Sequence, residues 1–293
     1  QPRPCKRPHS LSAMATDCDG YKQTMCGLDV HVIDITDSTN QAGSSASSST
    51  EPGCSLIFLP GRGSLGTKYA DRYNTGQFVL PSPLPVGGVR VIFPSSPVTD
   101  EQYEGIPTWF RLADSPAKDI DSAERYVLSD VEYSAGLIAN LVMQEVRRCG
   151  WSRTFLGGHS QGAMLALHIQ LTRLEQPLAG LCLFSGYVVY PLRQLVPLSE
   201  RTAAAHLALN LDMMRSRGRV FVWHGELDEN FPVNQALTLT RAVFRGVGCE
   251  GAIKLQVEAP GIAHSPVPPA AYQQVFSAMF ASPPPAPSSS PTV

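Results

Sequence analysis

Residues 158–162 have the order Gly-His-Ser-Gln-Gly, which is the clearest signal of chemistry in this chain. A strand-like run at 153–157 leads into this stretch, and a helix-like run at 163–171 leads away from it. A serine on a tight strand-to-helix turn is held in a strained backbone with its hydroxyl exposed. The flanking glycines allow the close packing that such a turn requires. The pattern predicts that Ser160 is a catalytic nucleophile rather than part of an ordinary turn.

Three acidic residues follow an apolar run at 219–224 and are candidates for the acid of a catalytic triad. A serine hydroxyl is a poor nucleophile until a base takes its proton, and a carboxylate orients that base. One common chain order of such a triad is serine, then acid, then histidine. Asp228 is the preferred acid, because the turn after the strand would carry it past the strand end. Glu226 is its close competitor, and Glu229 is the third candidate.

His264 is the last histidine of the chain and follows the next predicted strand, at 253–258. Its place after the acid in the chain order predicts that it is the base. His206 also lies downstream of the serine, but it precedes the acids and lies in an alanine-rich, helix-like run. The remaining central histidines are expected to be structural, at the elbow, on a helix face and at a strand end: His159, His168 and His224.

An oxyanion hole would require two backbone N–H groups near the serine. One is the N–H of Gln161, the residue after the nucleophile. The other is expected from the loop Leu-Pro-Gly-Arg-Gly at 59–63, where the N–H of Arg62 is the candidate donor. The same loop matches a GxGxxG pattern at 61–66, but residues 78–90 lack the acid that a dinucleotide-binding turn requires. A nucleotide site is therefore not expected.

The elements that position these residues form an alternating series, which predicts an α/β fold with a mostly parallel sheet and helices on both faces. The candidate turns all follow strands, and ligands bind such sheets at the carboxyl ends of the strands. The predicted strands are 28–36, 55–59, 89–93, 153–157, 178–185, 219–224 and 253–258, and the predicted helices are 128–148, 163–171, 234–247 and 270–281.

A single domain is predicted over residues 28–281, with a serine-rich loop at 37–53. Residues 1–27 are predicted to be a flexible N-terminal tail without the apolar segment of a secretory signal. Residues 282–293 are rich in proline and serine and are predicted to be a disordered tail.

The composition suits a globular enzyme, since 43% of the 293 residues are hydrophobic and 16% are charged. The net charge of −2 gives no basic field for a nucleic-acid partner, and no apolar run approaches the roughly 20 residues of a membrane span. The seven cysteines are scattered without a CxxC pair, which argues against a disulfide framework or a zinc site. Together with the absence of an Asn-x-Ser/Thr sequon, this cysteine pattern predicts a cytoplasmic location.

Several stretches of the chain together resemble the acyl-protein thioesterase, lysophospholipase and carboxylesterase family of α/β-hydrolases, from about residue 55 to about residue 281. The elbow is similar to the family's Gly-Gly-Phe-Ser-Gln-Gly. Each match alone is weak, and their common order makes the set specific. The matches are Leu-Pro-Gly-Arg-Gly at 59–63, Pro-Thr-Trp-Phe at 107–110, Leu-Gly-Gly-His-Ser-Gln-Gly at 156–162, segments 177–180 and 183–186, His-Gly-Glu-Leu-Asp at 224–228 and Gly-Ile-Ala-His at 261–264.

The resemblance implies an α/β-hydrolase fold with Ser160 as nucleophile, Asp228 as acid and His264 as base, and it favours Asp228 over Glu226. It implies hydrolysis of carboxylic esters or thioesters through an acyl-enzyme, with acylated proteins and lysophospholipids among the substrates and no cofactor or metal. A lipid substrate would bring the protein into transient contact with a membrane surface. The alternatives are a small-ester carboxylesterase or dienelactone-type hydrolase, and a non-catalytic binding protein on the same fold.

Two positions depart from the loop of that family: Pro60 replaces its usual histidine, and Arg62 replaces an apolar residue. Pro60 lacks an N–H, but the donor required belongs to residue 62, so the loop can still form an oxyanion hole. The Arg62 side chain places a cation near the mouth of the site. Trp109 and Phe110 are candidate substrate-binding residues, although an aromatic pair is more often part of a core.

Overall fold

The structure is a computed structural model that describes residues 20–36, 52–113, 126–187 and 204–281. The predicted C-terminal tail and most of the serine-rich loop lie outside these residues. The strands are β1 Tyr21–Met25, β2 Leu28–Ile35, β3 Cys54–Leu59, β4 Val89–Pro94, β5 Val98–Asp100, β6 Ile106–Thr108, β7 Thr154–His159, β8 Gly180–Phe184, β9 Val220–Leu227 and β10 Ile253–Ala263. The α-helices are α1 Gly66–Asn74, α2 Leu128–Cys149, α3 Gln161–Thr172, α4 Ala204–Arg217, α5 Val233–Gly246 and α6 Pro269–Ala281.

Eight of the described strands form one sheet in the order β1-β2-β4-β3-β7-β8-β9-β10. The pairs β1–β2 and β2–β4 are antiparallel, and the pairs from β4 to β10 are parallel. Strands β5 and β6 form a separate antiparallel pair next to the site. The predicted mostly parallel sheet is therefore confirmed.

Both faces of the sheet are covered by helices, because the central strands are apolar on both sides. In β3 all six residues are buried. Ile57 and Leu59 join the core under α2 and α3, whereas Leu56 and Phe58 join the core under α1 and α6. Burial of both faces is typical of parallel sheets, whose strands are continuous apolar runs rather than alternating ones. Of the described helices, none combines the length and the apolarity that crossing a bilayer requires.

The folded domain begins earlier than the sequence analysis predicted. The N-terminal tail was expected to extend to residue 27, but β1 pairs with β2 in antiparallel register from Tyr21 to Met25. Cys26 and Gly27 connect the two strands, and both have positive φ, at 51° and 79°. Two such residues form the tight hairpin turn whose twist matches that of the flanking strands. Cys-Gly is not among the usual residue pairs of this turn, which is why the pattern did not indicate a hairpin.

The parallel strands bring their carboxyl ends to one edge of the sheet, where the candidate residues follow them. β3 and β7 are neighbours, with Leu59 opposite Gly158, so the loop after β3 lies beside the turn after β7. β9 and β10 are also neighbours, and their ends carry the acid and histidine candidates. The topology thus assembles four separate chain segments into one site.

Candidate active site

Ser160 occupies a tight turn between the end of β7 and the start of α3. Its backbone has φ 53° and ψ −124°, a region that non-glycine residues rarely adopt, and only 8% of the residue is exposed. A Cβ at Gly158 or at Gly162 would overlap backbone atoms of the neighbouring loop or helix, including the Leu59 carbonyl oxygen. The glycines therefore let the loop after β3 pack against the turn that carries Ser160. The strained backbone of this serine matches the geometry of a nucleophile elbow.

Three side chains that are distant in the sequence form one hydrogen-bonded chain. His264 Nε2 lies 2.8 Å from Ser160 Oγ, and His264 Nδ1 lies 2.8 Å from Asp228 Oδ2. In this arrangement the Ser160 hydroxyl donates to Nε2, and the Nδ1–H donates to the carboxylate. These contacts are those required of a nucleophile, a base and an orienting acid. The structure brings together the three residues that the sequence predicted, and their catalytic roles remain a proposal.

The Asp228 carboxylate accepts hydrogen bonds on both oxygens. Oδ1 accepts the backbone N–H groups of Asn230 and Phe231 at 3.0 and 2.8 Å, and Oδ2 faces His264 Nδ1 and, at 3.0 Å, His224 Nε2. Burial alone would raise its pKa, but the hydrogen bonds from His224 and His264 hold the pKa of this carboxyl well below its usual range. Asp228 therefore carries its negative charge beside the His264 imidazole.

Glu226 and Glu229, the other acid candidates, do not contact His264. Both are exposed, and Glu226 accepts the backbone N–H of Gly261 at 3.0 Å. Glu226 therefore contacts the loop that carries the histidine, but it does not orient the imidazole. The geometry selects Asp228, in agreement with the sequence preference.

His159 contacts the backbone of His264 and His224 contacts Asp228, although the sequence predicts purely structural places for both histidines. His159 is buried, and its Nε2 lies 3.1 Å from the backbone oxygen of His264, so it donates to the loop of the base. Burial lowers the pKa of His159 to about 3, which keeps its ring neutral. His224 is fully buried, and its Nε2–H lies between the Asp228 carboxylate and, at 2.7 Å, the Phe231 carbonyl oxygen.

His168 is buried in α3, as the helix-face expectation implied. Burial lowers the pKa of its imidazole to about 4. The side chain of His206 is outside the described part of the chain.

The candidate oxyanion donors lie in segments that approach each other at the elbow. Gln161 is the first residue of α3, where backbone N–H groups have no intrahelical partner. A Cβ built on Gly61 would lie 3.4 Å from Ser160 Cβ, so the loop passes directly beside the nucleophile. Within the described residues, neither Arg62 N–H nor Gln161 N–H donates to another backbone carbonyl. Both amides are thus available to an oxyanion in this part of the structure.

The Arg62 side chain is paired rather than free. Its Nη2 lies 2.8 Å from Asp100 Oδ2, and its guanidinium lies 4.0 Å from the ring centroid of Tyr103. Asp100 is only 1% exposed. The cation that the sequence placed near the mouth of the site is therefore largely compensated by a buried carboxylate.

A cavity of about 300 Å³ opens beside Ser160 and His264. Its wall combines apolar side chains with polar groups close to Ser160, a mixture that suits a small molecule. The lining residues are Arg62, Ile106, Phe110, Leu112, Tyr126, Ser160, Gln161, Met164, Asn230, Phe231 and His264. Within the described residues, no cluster of His, Cys, Asp or Glu could hold a metal ion.

Of the two aromatic residues predicted to bind substrate, Phe110 lines the cavity and Trp109 does not. Trp109 is fully buried, and its indole N–H donates to the Pro60 carbonyl oxygen at 2.7 Å. The Trp109 ring therefore packs inside the protein and lies outside the wall of this cavity, and its role in substrate binding stays a prediction.

The sequence profile of the phospholipase/carboxylesterase family matches residues 46–245, more than half of the chain. Acyl-protein thioesterase 2 of Zea mays superposes with a TM-score of 0.58 at 18% identity, over 85% of this chain and 98% of that one. SOBER1 of Arabidopsis thaliana has a TM-score of 0.58 at 19% identity, over 77% and 97% of the two chains. Esterase PE8 has a TM-score of 0.53 at 21% identity, over 78% and 91%. At these identities the likeness establishes a shared fold.

Proposed function

Since the chain belongs to the phospholipase/carboxylesterase family and is on that ground an ester hydrolase, we propose that it is a serine hydrolase that works through an acyl-enzyme. The observation that carries this proposal is the continuous chain from Ser160 Oγ through the imidazole of His264 to Asp228, with 2.8 Å at each step. This arrangement of a hydroxyl, a base and an orienting carboxylate is sufficient to make a serine nucleophilic at neutral pH.

In the proposed reaction, Ser160 Oγ attacks the acyl carbonyl carbon while His264 Nε2 takes the hydroxyl proton. The carbonyl oxygen becomes an oxyanion, and the N–H groups of Arg62 and Gln161 stabilise it. When this intermediate collapses, the imidazolium gives its proton to the leaving alcohol or thiol, and an acyl-Ser160 ester remains. Water then attacks this ester with His264 as base, which releases the acid and restores the serine. Asp228 remains ionised throughout and stabilises the imidazolium.

The size and lining of the cavity support a short or medium acyl chain. A volume of about 300 Å³ is at the lower end of the range for small-molecule sites, and apolar residues such as Ile106, Phe110 and Met164 form part of the wall. This observation favours the alternative of a small-ester carboxylesterase with the same mechanism. Acylated proteins and lysophospholipids remain candidate substrates, since acyl-protein thioesterase 2 of Zea mays shares the fold. Parallel assays of a palmitoyl-thioester peptide and a short-chain oxygen ester distinguish an acyl-protein thioesterase from a small-ester carboxylesterase.

The serine mechanism is tested by replacing Ser160. We expect Ser160→Ala to lower kcat for a short-chain p-nitrophenyl ester by at least 10³-fold, because the remaining groups cannot form the acyl-enzyme. A fluorophosphonate probe should label the wild-type chain once and should not label the variant, while the Tm changes little. As a matched control, Ser64→Ala changes a serine in the loop after β3, and labelling should persist. Turnover or labelling that survives Ser160→Ala would refute the proposal, and an unlabelled wild type would indicate a non-catalytic scaffold.

We also propose that the activity is cytoplasmic, as the cysteine pattern of the sequence predicts.

A further inference from the structure

We propose that Trp109 is a positioning residue that sets the distance between the two oxyanion donors. This inference rests on the serine hydrolase proposed above, and it concerns the stretch Pro107–Phe110 that connects the loop of Arg62 to the elbow of Gln161. Trp109 itself does not line the cavity, so its effect acts through backbone and side-chain hydrogen bonds rather than through contact with substrate.

On the loop side, two hydrogen bonds hold the segment that contains Arg62. The indole N–H of Trp109 donates to the Pro60 carbonyl oxygen at 2.7 Å, and the N–H of Gly63 donates to the Pro107 carbonyl oxygen at 2.8 Å. The residue whose N–H would bind the oxyanion therefore lies between two fixed points.

On the elbow side, the same stretch binds both the oxygen and the nitrogen of the Gln161 side-chain amide. Gln161 Oε1 accepts the N–H of Trp109 at 3.0 Å and the hydroxyl of Thr108 at 2.8 Å, and its Nε2 donates to the Phe110 carbonyl oxygen at 2.7 Å. The residue whose N–H would be the second oxyanion donor is thus attached by its side chain to the segment that holds the first.

The connecting stretch is itself rigid. Thr108, Trp109 and Phe110 are fully buried, and Gln161 is only 4% exposed. The hydroxyl of Ser134 in α2 also donates to the Trp109 carbonyl oxygen, at 2.5 Å. Buried hydrogen bonds without competing water fix geometry tightly. Trp109 is hydrogen-bonded both to the oxyanion loop and to the Gln161 side chain, so it determines their spacing.

The spacing matters because oxyanion donors act only at the correct distance from the developing charge. Loss of one donor lowers kcat by about 10²–10³-fold in well-studied enzymes, and a misplacement of about 1 Å can cost as much. A displaced donor weakens binding of the tetrahedral intermediate more than binding of the ester. The expected signature is therefore a lower kcat with little change in KM.

The test is Trp109→Phe, which removes the indole N–H and keeps an aromatic ring in the core. We expect kcat per fluorophosphonate-titrated site to fall at least tenfold for a short-chain p-nitrophenyl ester, with KM within about twofold of the wild type. The affinity for an alkyl boronic acid, whose tetrahedral adduct with Ser160 places an oxygen anion between the donors, should fall in parallel. Trp223→Phe is the matched control, because Trp223 is equally buried but packs in the core under α1 and α6. Its kcat per site should stay within twofold.

A second variant decides the matter if Trp109→Phe does not fold. Thr108→Val keeps the side-chain shape and removes one hydroxyl donor to Gln161 Oε1, so kcat should fall at least threefold at unchanged KM. Wild-type kcat and boronic-acid affinity in either folded variant would overturn the inference while leaving the serine hydrolase in place. A wild-type enzyme without Ser160-dependent turnover would overturn the proposed function and this inference with it.

Discussion

Two histidines meet at Asp228, and one of them, His264, also contacts Ser160. His264 and His224 face the same carboxylate oxygen, at 2.8 and 3.0 Å. His224 donates to Oδ2 of the Asp228 carboxylate. The backbone N–H groups of Asn230 and Phe231 donate to the other oxygen, Oδ1. Because the carboxylate is held from four directions, it presents its charge to His264 in one orientation.

We expect His224→Phe to lower kcat about tenfold with little change in KM, because the carboxylate loses one of the groups that orient it. The pKa of the Asp228 carboxyl should rise towards its usual value in this variant, because the hydrogen bond from His224 lowers that pKa. His224→Gln can keep an N–H donor at the place of Nε2, and it should retain at least a third of the wild-type kcat. The measurement is kcat per titrated active site at pH 8, with thermal unfolding as the check on folding.

Equal kcat values for the Gln and Phe variants would contradict this role, because they would show that ring volume rather than the N–H donor matters at His224. A matched increase in KM in both variants would place the effect on substrate binding instead.

At the scale of elements, the central strands and the long helices were predictable because burial imposes a strong pattern. An uninterrupted apolar run such as 55–59 has few alternatives to a buried strand, and α2 shows an apolar residue on every turn of one face. Helix α1 was missed, because Gly66–Asn74 is mostly polar and buries only three residues. Strand β10 continues past its predicted end at residue 258 through Pro260, where a register shift interrupts the pairing with β9.

The site could be predicted where chain order alone defines it and not where tertiary contact defines it. The serine, acid and histidine follow a fixed order and lie at strand ends, so the sequence predicts the three side chains that the structure brings together, Ser160, Asp228 and His264. The partners of His224 and Trp109 depend on how loops 228–231 and 60–63 fold back onto them. A buried polar group must find some partner, and the sequence does not say which one.

Helix α3 is buried on every side and nevertheless contains an ionisable group. Each residue from Gln161 to Leu171 is buried, which places the helix inside the protein rather than on its surface. His168 is 4% exposed, and its Nε2 lies 3.3 Å from Glu132 Oε1, while Glu132 is itself paired with Arg173. The burial that makes α3 a rigid support for the elbow therefore makes its histidine costly to protonate.

We expect His168 to make the fold sensitive to acid. The pKa of its folded form is about 4, below the ordinary value of about 6.5, so the unfolded chain binds the proton more readily. This contribution to stability is complete above pH 6.5 and is lost as the pH falls towards 4. The free energy of unfolding should therefore decrease by about 2 kcal/mol more in the wild type than in His168→Gln between pH 6.5 and 4.5. Urea unfolding at several pH values measures this free energy. Parallel plots of the free energy of unfolding against pH for the two proteins would contradict the prediction.

At the scale of the whole molecule, the two edges of the sheet carry different polar groups. The carboxyl edge holds the candidate triad, and the amino edge holds a buried ionic network around Glu145 of α2. Glu145 is 1% exposed and contacts Ser55 of β3, while Arg148 lies 2.8 Å from its Oε2 and 2.5 Å from the serine hydroxyl. Arg90 of β4 lies 3.8 Å from its other oxygen. The network joins α2 to β3 and β4 at the edge opposite the site.

We expect Glu145→Gln to destabilise the protein without slowing the chemistry. Removal of one partner leaves the Arg148 guanidinium and the Ser55 hydroxyl without their shared carboxylate, and a broken buried pair costs about 3–5 kcal/mol. The matched control is Asp212→Asn, which breaks the exposed pair with Arg215 and should cost less than about 1 kcal/mol. Urea unfolding gives the stabilities, and kcat per titrated site should stay within twofold in both variants, because α2 meets the site only at its other end. A tenfold loss of kcat in folded Glu145→Gln would show instead that strain at the amino edge reaches the elbow through β3 and β7.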